Sequence, residues 1–162
     1  MENSTTLIGL VLILITVFPV FLMLRTQSQN KNKIETILKG FNQGNSAEFS
    51  NRDNINNKIV AFNEQKKKLV LIDLNTKPEL VSYVDLNEMS DCKIIREVEH
   101  NHHAPKKKEF VTKVELQFKN KTNSQETAMK FYDFEYEKPI QITYYRDNQL
   151  AEKWFEVVKK SI

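Results

Sequence analysis

The chain has 162 residues, 24 Lys and Arg against 21 Asp and Glu, and a formal net charge of +3. That length holds one ordinary hydrophobic core, and the mild basic excess lacks the dense cationic face of a nucleic-acid binder, so no nucleic acid is expected as a partner. One cysteine, Cys92, and three histidines exclude an internal disulfide framework and a histidine-rich metal site.

No charged residue lies between Asn3 and Leu24, and the stretch Thr6 to Leu24 is almost wholly apolar. As a helix it would rise about 28 Å, near the hydrocarbon thickness of a bilayer. The sequence therefore predicts a transmembrane helix over 6–24, bent at Pro19. A cleaved signal peptide fits less well, because the start carries Glu2 and no cation, and no Ala-x-Ala-like site follows. Arg25, Lys31, Lys33 and Lys39 follow the helix and no cation precedes it. The expectation is a single-pass protein of a bacterial inner membrane, with residues 1–5 as an exterior tail and the rest in the cytoplasm.

Residues 25–45 read as a juxtamembrane linker, of which 25–32 is alternatively a frayed helical extension of the anchor, with a short amphipathic helix over 33–41 where Ile34, Ile37, Leu38 and Phe41 recur at helical spacing. Asn42 to Asn57 is polar, lacks a period, and reads as a loop. Beyond it come short apolar runs bounded by polar turns, the pattern of antiparallel strands. Ile59 to Phe62 and Leu69 to Leu74 form a hairpin across 63–67, followed by strands at Leu80 to Val84 and Cys92 to Glu99. In Phe110 to Lys119 the residues Phe110, Thr112, Val114, Leu116 and Phe118 alternate with Val111, Lys113, Glu115, Gln117 and Lys119, giving one apolar face. Thr127 to Phe134 is a sixth strand, and Ile140 to Tyr145 a seventh. A closing helix is capped by Asp147 or Asn148, carries Leu150, Trp154, Val157 and Val158 on one face, and has Lys159 and Lys160 at its negative end.

The hairpin spanning Lys58 to Asp73, the Tyr83-Val84-Asp85-Leu86 element, the long strands and the closing helix with Trp154 resemble bacterial PH-like (pleckstrin-homology-like) domains. The resemblance covers about two thirds of the chain and rests on the order of elements. It implies an α+β domain over 46–162, a curved antiparallel split barrel of six to seven strands plugged by the aromatic residue of its last helix. It also implies a scaffold for binding and assembly, with no catalytic residue.

The residues themselves point away from catalysis. Gly9, Gly40 and Gly44 make no phosphate-cradling loop, and the carboxylates fall on alternating solvated faces. Cys92 shares a strand face with Ile94 and Val98 and reads as a small core residue. His100, His102 and His103 come nearest to a metal set, but a tight loop rarely aims adjacent histidines at one ion, so no metal and no cofactor are expected. Lys66, Lys67, Lys68 and Lys106, Lys107, Lys108 concentrate charge in two turns and are the lipid-binding candidates, each contributing about 1 kcal/mol beside an anionic surface. The expectation is thus a membrane-tethered, non-enzymatic module at the cytoplasmic face that meets the bilayer and protein partners, such as an accessory subunit of a membrane complex. The alternative is a peripheral sensor of anionic headgroups.

Overall fold

The structure is a computed structural model that describes residues 2–42, 44–55, 57–101, 108–123, 125–135 and 141–162; of 2–12, 100, 101, 108, 109, 141 and 142 it describes the backbone alone. The chain divides into two compact units, Met1–Ser46 and Ala47–Ile162.

The first unit is one long helix, α1 (Glu2–Phe41), with Pro19 inside it. Of the two readings of 25–32, linker or helical extension, the structure shows the helix continuing, and the short amphipathic helix expected over 33–41 is its last part. Once neighbouring turns supply the nucleus, polar residues such as Thr26, Gln27 and Gln29 extend a helix at little cost. The helix ends at Phe41, and beyond it Gly44 takes a φ of 87°, open to a residue without Cβ, and its N–H donates to the carbonyl of Lys39 at 2.9 Å.

Among the described residues no helix is long and apolar enough to cross a membrane. This overturns the transmembrane span expected over 6–24, and with it the single-pass inner-membrane location and the orientation drawn from the flanking cations. The described apolar side chains run from Ile13 to Leu24 and give way to Arg25 and the polar residues beyond it. The expected residues 6–12 lie outside the described side chains.

Among the described residues the second unit holds seven strands and a closing helix. Strands β1 (Asn51–Ile55), β2 (Lys58–Asn63), β3 (Lys68–Asp73) and β4 (Leu80–Asp85) form one antiparallel sheet in chain order. Strands β5 (Met89–Asn101), β6 (Lys108–Asn120) and β7 (Glu126–Asp133) form another. A 3-10 turn, Leu86–Glu88, separates them, with the Asp85 side chain accepting from the N–H of Asn87. Among the described residues no strand of one sheet pairs with a strand of the other, so the expected split barrel is replaced by two sheets that do not close.

Two further expectations change. Asn51 to Ile55, expected as loop, is strand β1, an edge strand recruited by pairing with β2 (Asn51 opposite Phe62, Ile55 opposite Lys58) rather than by any apolar alternation of its own. The seventh strand expected over 140–145 does not form: Ile140 lies outside the described residues, and 141–145 open helix α2 (Gln141–Ser161). Tyr144 and Tyr145 favour strands locally. Here packing decides, since Tyr144 sits on the core and meets Tyr132 at a centroid distance of 5.5 Å.

The apolar alternation of β6 buries Val114, Leu116 and Phe118, opposite Arg96, Ile94 and Cys92 of β5. Val60, Phe62, Leu69 and Leu71 line the first sheet, and Leu150, Ala151, Trp154 and Val158 of α2 complete one core. Trp154 is fully buried, edge-on to Phe62 at 6.4 Å.

At the middle of this arrangement lies a charge. Lys58 opens β2 and is 1% exposed; its ammonium donates to Asp147 Oδ2 of α2 at 2.7 Å and to the carbonyl of Phe131 in β7 at 2.6 Å, with Asp73 Oδ2 of β3 at 3.9 Å. One side chain thereby ties both sheets to the helix. Removing one partner of a buried pair strands the other, at about 3–5 kcal/mol. Urea unfolding should show that loss for Lys58→Met, and Lys58→Met with Asp147→Leu should recover most of it. A single variant as stable as the parent contradicts the assignment.

Truncating Trp154 tests the core separately. Trp154→Ala should lower stability by about 3–5 kcal/mol. If Trp154→Ala melts with the parent, its ring does not seal the core.

Candidate functional site

The turn between β2 and β3 positions the first set of candidate lysines. Asn63 Oδ1 accepts from the N–H of Lys66 at 3.0 Å, and Lys67 adopts φ 53° to let the chain return. The turn is held from below, because Leu86 N–H donates to the carbonyl of Lys67 at 2.8 Å and Asn87 Nδ2 to that of Lys66 at 3.0 Å. The three ammonium groups do not converge. Lys66 pairs with Glu48 at 2.8 Å, and Lys68 lies over the ring of Tyr83 at 6.0 Å from its centroid. Burial, and then Asp85 and Glu88, push the Tyr83 hydroxyl above its ordinary pKa, so it presents a neutral ring to Lys68.

Lys67 instead faces a groove of about 410 Å³, shared between this turn and the last turn of α2. Phe62 and Val157 supply its apolar lining; Glu64, Lys67, Lys160 and Ser161 supply polar groups. Among the described residues Lys67 and Lys160 have no ion-pair partner. Lys160 comes from the helix end, where the sequence gives it only the role of matching the helix dipole. Nothing in the linear pattern brings it beside Lys67, 93 positions earlier.

The other sequence candidates fall differently. Lys106, Lys107, His102 and His103 lie outside the described residues, and for His100 and Lys108 only the backbone is described, in β5 and β6. Among the described residues no group of three or more His, Cys, Asp or Glu is placed to hold a metal.

Cys92 is 3% exposed, opposite Phe118. Burial pushes its thiol up to about 12, with Asp91 adding to the rise and Lys159 opposing it. A neutral thiol shut in a core is a poor nucleophile. Compared with existing knowledge, the chain stands apart: no family model, no curated protein and no solved structure matches it.

The thiol has a pH signature. Its ordinary pKa is 9.0, so above that value the unfolded chain releases a proton that the folded chain keeps up to about 12. The contribution is intact below about pH 9 and drains away as pH rises toward 12. Denaturant titrations of parent and Cys92→Ala should converge across that window, and curves that stay parallel speak against a buried neutral thiol. Near neutral pH a thiol reagent should label Cys92 only after unfolding.

Proposed function

We propose that the protein is a non-enzymatic binding and assembly module that docks on a protein partner. The observation that carries this reading is the surface of α1. Ile13, Leu14, Ile15, Val17, Phe18 and Val20, and then Phe21 to Leu24, are all 44% to 63% exposed. The run is apolar right round the helix. Even its one hydroxyl, on Thr16, turns back to the carbonyl of Ile13 at 3.0 Å. Contiguous apolar surface of this kind marks an interaction site, and a helix apolar on every side calls for a concave partner that covers more than one face.

The second unit supports the same reading. Among the described residues its strands precede a closing helix that puts Trp154 into the core, the order of elements on which the PH-like resemblance and its binding role rest. The headgroup-sensor alternative draws less support, because Glu48 neutralises Lys66 and Tyr83 engages Lys68.

The full chain, cross-linked in cells and purified in mild detergent, should carry a stoichiometric protein partner. Phe18→Glu with Phe21→Glu should release that partner while leaving the melting of the second unit unchanged. A lone chain that sediments with anionic vesicles, equally well in both versions, defeats the reading.

A further inference from the structure

We propose that the groove between the β2–β3 turn and the last turn of α2 takes an acidic segment of a protein partner, anchored by one apolar side chain. This rests on the binding-module reading and adds a second contact with its own chemistry.

Three observations converge on it. First, the cations around the groove divide into used and unused ones. Lys66 is held by Glu48, Lys153 by Asp53 at 2.7 Å, and Lys159 lies over the Phe155 ring at 5.2 Å. Lys67 and Lys160, which line the groove from its two sides, have no such partner among the described residues.

Second, Lys67 occupies a backbone position that a Cβ-bearing residue enters at a cost. At φ 53° glycine or asparagine is the usual occupant. The turn nevertheless presents a lysine there, on a backbone fixed by Leu86 and Asn87. Strain held in place by its surroundings is a mark of a working position.

Third, the groove is not uniformly cationic. Phe62 and Val157 form an apolar floor, and Glu64 lines the same space. The negative end of α2 also lies here. A phosphate dianion would meet both the carboxylate and the helix end. An extended segment with separate carboxylates on Lys67 and Lys160, an apolar side chain on the floor, and a backbone N–H toward Glu64 matches the charged groups and the floor.

The probe is the peptide acetyl-Asp-Glu-Leu-Glu-Asp-amide, added to the ¹⁵N-labelled full chain in mild non-ionic detergent. Amide shifts should appear within 62–67 and 157–161 and fade as salt rises. Lys67→Gly and Lys160→Gln should each weaken binding about fivefold. Lys67→Gly should melt no lower than the parent, so its lost affinity is not lost folding. The proposal is overturned by an absence of shifts, by equal shifts from a peptide with lysine at every acidic position, or by variants that bind like the parent. Phosphatidylserine vesicles that give the same shifts and displace the peptide also overturn it, in favour of a headgroup. Partner capture through α1 that persists with a silent groove defeats this inference alone. Groove binding without any captured partner defeats the assembly reading alone.

Discussion

The ammonium of Lys58 is the point on which the second unit turns. Taking such a group out of water costs several kcal/mol, which only close and well-directed partners offset. Lys58 reaches Asp147 at 2.7 Å and the Phe131 carbonyl at 2.6 Å, with Asp73 behind them at 3.9 Å. Those partners come from α2, β7 and β3. An apolar core tolerates sliding and repacking, whereas a buried charge accepts one geometry. The pair therefore fixes where the opening turns of α2 stand against two sheets that no strand pairing joins among the described residues.

With that end of α2 fixed, the rest of the helix follows its apolar face. Leu150, Ala151, Trp154 and Val158 enter the core along one stripe. Exposed pairs trim the placement: Arg96 reaches Asn148 at 2.8 Å and Glu152 at 2.7 Å from β5, and Lys153 reaches Asp53 of β1. Such surface contacts contribute about 0–1 kcal/mol each and orient more than they stabilise. The groove is a product of the same placement, since the helix ends beside the β2–β3 turn and leaves Phe62 and Val157 at its floor.

How much of this the sequence discloses varies with the physics of each element. Alternation marks β6 because Val114, Leu116 and Phe118 face one core, and the runs Ile59 to Phe62 and Leu69 to Ile72 are visible because β2 and β3 bury both faces. Strand β1 is invisible, since Asn51, Arg52, Asp53 and Asn54 are drawn into the sheet by hydrogen bonds to β2 that leave no apolar signal. Asp147 reads as a helix cap by type and position, yet it lies inside the helix, fully buried on Lys58. No local rule pairs residues 89 positions apart. The transmembrane expectation sums apolarity over 6–24, and among the described residues no helix is long and apolar enough to cross a membrane. Of the candidate lysines, the cluster Lys66 to Lys68 is plain in the sequence, but its division into a paired, a free and a ring-bound ammonium depends on Glu48 and Tyr83.

The two proposed contacts draw on different forces. The run on α1 offers area and little direction, so its affinity comes from water released by apolar surface and changes little with salt. The groove offers two cations, one anion and a small floor, so it contributes orientation and discrimination more than affinity, and salt weakens it. A partner that satisfies only the first would bind without a fixed register. One that satisfies only the second would dissociate quickly, because about 1 kcal/mol per exposed charge pair holds nothing for long. Specific assembly requires a partner with an apolar recess and an acidic segment on the same molecule, and that conjunction is far rarer than either feature by itself.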